Sequence, residues 1–99
     1  MEFSEEQFYF YMTTNTYNKI LYTGFTVDLK KIMFEHLNKT YNKSFTSRYN
    51  LDKLVYFEVF KTVAAAIARE KQVKKWNREW KDNLINELNP DWKDLGWML

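Results

Sequence analysis

The chain contains no cysteine, one histidine, one proline and two glycines in 99 residues. Without cysteine there is no disulfide framework, no thiolate zinc site and no Cys nucleophile, which fits a reducing, cytoplasmic setting. A single histidine excludes a multi-histidine metal centre. No apolar run approaches the roughly 20 residues that a membrane helix needs. The acidic opening, MEFSEE, does not read as a signal peptide, so no membrane partner is expected. Internal repeats, low-complexity segments and interdomain linkers are also missing, so residues 1–99 read as one domain.

What is abundant is aromatic: 4 Trp, 7 Tyr and 8 Phe, in a chain that is 45% hydrophobic. That is enough to bury a core and to leave some rings on the surface, where they can stack on a flat ligand. The net charge is only +2, but it is unevenly spread. Residues 2–6 are acidic, whereas in REKQVKKWNREWK (69–81) Lys and Arg outnumber Glu. A local basic surface can hold phosphate without a high overall charge, although the same run also suits a solvated helix face.

FYFYMT (8–13) is a continuous apolar run, as in a strand buried on both faces. TNTYNK supplies a turn whose asparagines tolerate positive φ, and ILYTGF (20–25) supplies a second strand. A helix is predicted over 27–38 with Thr26 as its N-cap and Asp28 favoured by the helix dipole. Gly24 is read as easing a tight turn ahead of that helix. Leu29, Ile32, Met33 and Leu37 recur at helical spacing, with His36 on the same face. Residues 39–52 read as loop and LVYFEVF (54–60) as a third strand. Helices are predicted over 63–76, capped by Thr62, and over 78–88, stopping before Asn89-Pro90. The aromatic tail DWKDLGWML is expected to fold back on the domain. The order ββαβαα predicts an α/β fold, a small sheet covered by helices.

One residue breaks the pattern. The apolar stripe of the 63–76 helix runs through Val63, Ala66, Ile67, Glu70 and Val73, with a carboxylate in its middle. A buried carboxylate is costly unless paired. Glu70 therefore either pairs with a lysine at the edge of the stripe or faces a cleft, where it can hold a cation or act as a base. His36, and Tyr11 and Tyr22 on neighbouring strands, are each ordinary packing residues when taken singly.

Together these residues resemble the GIY-YIG nuclease family, in particular small single-domain members similar to the catalytic domain of the excision-repair incision subunit. YFY (Tyr9 to Tyr11) stands where the family has GIY, and YTG (Tyr22 to Gly24) where it has YIG. FTVDLKK…EH, LDKLVYFEVF, AIAREKQVKKW and NPDWKDL extend the likeness over about residues 8–95. The resemblance implies a three-stranded antiparallel sheet flanked by helices and a DNA endonuclease site using one divalent ion, Mg²⁺ or Mn²⁺. It implies catalytic roles for Tyr11, Tyr22, His36 and Glu70, with Glu70 as the metal's protein ligand and Asn89 near the site. These groups are expected to line one cleft. Lys31, Arg48, Lys71, Lys74, Lys75 and Arg78 are the candidate contacts to DNA, with Trp76 and Trp80 interleaved for stacking.

The likeness has two departures. Tyr9 replaces the first glycine of GIY. More seriously, the family's phosphate-binding arginine, four residues before His36, is here Ile32. Losing such a donor costs about 3 to 4 kcal/mol of transition-state stabilisation. Lys31 is adjacent but about 100° around the helix, and Lys43 and Arg48 are other possible substitutes. The alternative reading is an inactive module that binds nucleic acid or a protein partner.

Overall fold

The computed structural model describes residues 7–37, 51 and 53–98, without the side chains of 35–37 and 97. Three antiparallel strands form the sheet: β1 (Phe8–Thr14), β2 (Leu21–Thr26) and β3 (Lys53–Phe60), in the order β2-β1-β3. The chain therefore has the expected α/β architecture. The helices are α1 (Leu29–Leu37), α2 (Val63–Lys74) and α3 (Arg78–Leu88), followed by a 3-10 turn, Leu95–Met98. No helix among the described residues is long and apolar enough to cross a membrane.

The unbroken apolar run of β1 is explained by its position: it is the central strand, and Phe10, Tyr11, Met12, Thr13 and Thr14 are all buried. Its turn into β2 is closed by Asn15, whose Oδ1 accepts from the amides of Lys19 and Ile20, and by Asn18 at φ 58°.

Alternation along β1 sorts the core into two layers. Phe10 and Met12 point to one face and pack with Val55, Tyr56, Val73 and Ile85, so α2 and α3 cover that side. Tyr11 points to the other and packs with Leu29, Met33 and Leu54, so α1 covers that one. Each large side chain fully buried here contributes about 1.5–3 kcal/mol.

Two predicted boundaries move. The helix after β2 is capped by Asp28, not Thr26: Asp28 Oδ1 accepts from Lys31 N at 3.1 Å, and Thr26, the last residue of β2, accepts from Asp28 N. The short linker leaves the threonine in the ladder and passes the cap to the next polar side chain. Thr62 does cap α2, accepting from Ala65 N, but the helix ends at Lys74, where the Lys75 amide reaches back to Gln72 and Val73. The segment read as loop is described only at Leu51, which is buried.

The register between β1 and β3 slips after Met12, pairing Met12 with Tyr56 but Thr13 with Leu54, so Val55 is an extra, bulged residue. A bulge leaves backbone groups without ladder partners. The tail supplies them. Asn89 Nδ2 donates to Val55 O at 3.0 Å and to Lys93 O at 2.8 Å, and Asp94 Oδ1 accepts from Leu54 N at 3.1 Å. The tail thus folds back as expected, bracketing the irregular part of β3.

On the α2 side, Glu58 ties sheet to helix. Arg69 donates to both its oxygens at 3.1–3.2 Å, and Tyr56 Oη donates to Oε2 at 2.5 Å. Burial, and then the Glu58 hydrogen bond and charge, push the Tyr56 phenol well above its ordinary 10.0, partly opposed by Arg69. The folded state therefore favours the protonated phenol. Its contribution to stability is complete below about pH 10 and declines as pH rises toward the raised value. In urea unfolding, the stability advantage of the wild type over Tyr56→Phe is expected to be constant up to about pH 9 and to shrink at higher pH.

Candidate functional site

The β1–β2 register sets Tyr11 opposite Gly24 and Thr13 opposite Tyr22. Tyr22 and Gly24 are two residues apart, so both share the α1 face with Tyr11. The two tyrosine rings meet with centroids 6.2 Å apart, tilted by 46°. Gly24 makes this possible. A Cβ there would lie 2.7 Å from Tyr11 Cζ and Oη and 2.9 Å from Tyr22 Cε1. The hydroxyl end of Tyr11 therefore lies over β2, one of the two outer strands among the described residues. The expectation that Gly24 eases a turn is corrected here. Gly24 is inside β2 and no glycine has positive φ; what it provides is clearance for a neighbouring phenol.

From α1, Leu29 and Met33 are buried against Tyr11, and Ile32 is half-buried at the edge of the same cluster with Tyr9 and Tyr22. Position 32 thus borders the tyrosine pair, where the resemblance places an arginine. Lys31 is exposed on the helix surface. His36 belongs to α1, but its side chain lies outside the described residues, as do Lys43 and Arg48 altogether.

Glu70 comes from the opposite layer. It lies on α2 between Ala66 and Val73, both fully buried, and Val73 packs in the Phe10–Met12 cluster. Its side chain is 17% exposed and its Oε1 is 3.8 Å from Lys74 Nζ, on a lysine 69% exposed. The stripe is shorter than its spacing suggested, since Val63 is 43% exposed in the first turn of α2. The two layers approach each other around the edge of β2. A shallow pocket of about 290 Å³ opens there, lined by Leu21, Tyr22, Thr23, Lys74 and Lys81. The described side chains therefore put the tyrosines in direct contact and leave Glu70 one ion pair from the pocket that Tyr22 lines.

Among the described residues no three His, Cys, Asp or Glu side chains group as metal ligands. A closed protein cage is therefore not available from them. Glu70 alone fits a different arrangement, a hydrated hard cation held by one carboxylate and by substrate phosphate oxygens. Its long contact to a solvated lysine is easily exchanged.

The basic stretch divides by residue type. Lys71, Lys74 and Lys75 are exposed. Arg78, expected among the phosphate contacts, is committed to structure. It donates to Asn18 O at 2.6 Å, Lys19 O at 2.9 Å and Asp82 Oδ1 at 2.7 Å, and lies 5.8 Å from the Trp92 ring centre. Asn89 is likewise spent on the β3 bulge, across the sheet from β2. The Tyr56–Glu58–Arg69 network was not singled out from sequence. Its only signal was the two-residue spacing of Tyr56 and Glu58 on one strand face.

Because the colliding atoms are the tip of Tyr11 and an edge of the Tyr22 ring, Gly24→Ala displaces side chains instead of breaking the strand. The variant is expected to remain folded, lose about 1–3 kcal/mol, and show altered near-UV circular dichroism from the moved tyrosines. Unchanged stability and spectrum would show that the ring has room elsewhere.

The chain is 36% identical over 74 residues to a UPF0213 protein of Syntrophus aciditrophicus, covering 75% of this chain and 84% of that one. It is 39% identical over 67 residues to a UPF0213 protein of Haloquadratum walsbyi (68% and 74%). With a UPF0213 protein of Staphylococcus saprophyticus it shares 36% over 67 residues (68% and 80%). No solved structure matches the chain significantly. The GIY-YIG catalytic domain profile matches residues 7–86, from the start of β1 through most of α3, and the chain belongs to the GIY-YIG family.

Proposed function

We propose that the chain is a metal-dependent DNA endonuclease whose reaction takes place at the β2 edge. The observation that carries this reading is the Tyr11–Tyr22 pair, seated over a glycine beside a pocket lined by two lysines. Hydrolysis of a phosphodiester needs an oriented water, a group to take its proton and positive charge against the phosphate. Tyr22 orients the water and Tyr11 completes the hydrogen-bond chain. His36 is the proton acceptor in this scheme, because a neutral imidazole accepts a proton near pH 7. Lys74 and Lys81 bear on the non-bridging oxygens. The water oxygen forms the new bond to phosphorus as the bond to the leaving sugar oxygen breaks, and that oxygen takes a proton from solvent. Glu70 is the residue that would hold Mg²⁺ or Mn²⁺, and such an ion, when bound, would supply Lewis-acid neutralisation of phosphate and leaving-oxygen charge. Lys31, Lys71 and Lys75 add phosphate contacts farther along the strand.

Cleavage of duplex, nicked, branched and single-stranded DNA with Mg²⁺ or Mn²⁺ tests the proposal. The wild type is expected to cleave at least one substrate, with activity abolished by chelation and lowered at least a hundredfold by Glu70→Ala. Equal activity in the two proteins would assign the cleavage to a contaminant.

Ile32 favours a second reading, an inactive module that binds nucleic acid or a protein partner. A half-buried isoleucine completes the cluster below the tyrosines and offers no charge to a phosphate. The two readings separate in Ile32→Arg. Since position 32 is at the edge of the cluster, an arginine stem can lie along it while the guanidinium reaches water. The variant is expected to melt within a few degrees of wild type and to cleave about ten- to a thousandfold faster, because the planar fork matches phosphate oxygens. A folded variant without cleavage above the Glu70→Ala background would favour the binding module.

A further inference from the structure

A second concavity lies away from the β2 edge, on the outer flank of α3. Trp80, Asn83, Leu84 and Glu87 recur at helical spacing and form one stripe. With Trp76 from the α2–α3 link they line a depression of about 310 Å³. The aromatic wall is fixed in place. The Trp76 and Trp80 rings meet edge-on with centroids 5.9 Å apart, and the Arg69 guanidinium sits 5.4 Å from the Trp76 ring centre. Asn77 Oδ1 accepts from Trp80 N at 2.9 Å and anchors the start of the helix. Yet Trp80 remains 57% exposed. That leaves a large aromatic face open to a flat partner.

The polar groups narrow the occupant. Asn83 and Glu87 line the depression, and among the described residues neither side chain makes a hydrogen bond or ion pair. A carboxylate disfavours a phosphate inside the depression but welcomes a planar group with an N–H edge. Cationic residues adjoin it in the chain: Lys74 and Lys75 precede Trp76 and Lys81 follows Trp80, with Lys74 and Lys81 lining the neighbouring β2-edge pocket. A ligand that is flat and donor-edged at its tip and anionic along its backbone fits both halves. We propose that this depression binds one unpaired nucleobase of a single strand, with guanine preferred. Its adjacent N1–H and N2–H groups match the two oxygens of Glu87, while Trp80 supplies the stacking surface. An arginine-rich peptide could also stack and pair here, but the lysines adjoining Trp76 and Trp80 in the chain oppose it.

The inference rests on the nucleic-acid reading above and sharpens it. Lys81 lines the β2-edge pocket and directly follows Trp80 in the chain, so one strand can pass from the tyrosine pair to the tryptophan shelf. The substrate class is then DNA with unpaired nucleotides beside the scissile bond, not uninterrupted duplex.

Fluorescence anisotropy in EDTA tests binding without cleavage. The probes are labelled oligo(dT), the same oligomer with one central dG, a blunt duplex, and an arginine-rich peptide. Expected for the wild type is tighter binding of the dG probe than of oligo(dT), with quenched tryptophan emission. Trp80→Ala should weaken both single-stranded probes about tenfold and leave the duplex unchanged, whereas Trp80→Phe retains most of the affinity. Glu87→Gln should remove the dG preference without weakening oligo(dT). A folded Trp80→Ala variant with unchanged single-strand affinity overturns the proposal. So does an equal loss on single strand and duplex, or preferential capture of the peptide. Failure of the nuclease reading looks different: no metal-dependent cleavage by a wild type that still shows the stacking signature.

Discussion

A tyrosine of the central strand lies across a glycine of its neighbour, and much of the candidate site depends on that contact. With a Cβ at position 24, the Tyr11 and Tyr22 rings could not keep their present positions. The antiparallel register sets Tyr11 against Gly24, and the asparagine-closed turn sets that register. A local turn and a single missing Cβ therefore position two hydroxyl-bearing rings at the rim of the sheet. The surrounding core, with Leu29 and Met33 pressed against Tyr11, keeps them there.

The second constraint is the division of the sheet into two covered faces. It puts the tyrosine pair under α1 and Glu70, on α2, against the other face, so a site built from both must form around an edge, not in the middle of a face. Edges are also where solvent and a polyanion can enter. The cationic side chains follow the same logic. Lys74 and Lys81 line the pocket at that edge, while Arg69 and Arg78, whose forks suit fixed hydrogen bonds, hold the helices to β3 and to the β1–β2 turn. The basic run is thus part fastening and part open surface, and residue type separates the two.

The far side of the molecule is organised by an irregularity. The bulge at Val55 would leave backbone groups of β3 unsatisfied, and Asn89 and Asp94 meet them from the tail. This gives the Asn-Pro-Asp-Trp segment a structural explanation and removes Asn89 from the neighbourhood of the β2 edge. The strongly shifted phenol of Tyr56 belongs to this structural half as well.

The sequence by itself determined the strands, the helices and their order, because hydrophobic period, asparagine turns and the Thr62 cap are local signals that tertiary packing reinforced. It also marked Tyr11, Tyr22 and Glu70 as residues to explain, and it exposed Ile32 as a departure from the family pattern. Tertiary structure alone decided which polar groups are already spent. Arg78 and Lys75 look alike in a basic run until one is found holding the carbonyls of Asn18 and Lys19. Gly24 reads as a turn residue until the opposite strand is present, since clearance for a ring is a relation between two strands and leaves no mark on either. The layer that Glu70 occupies follows in the same way. Helical spacing fixes which residues share a stripe, but only packing fixes which face of the sheet that stripe covers.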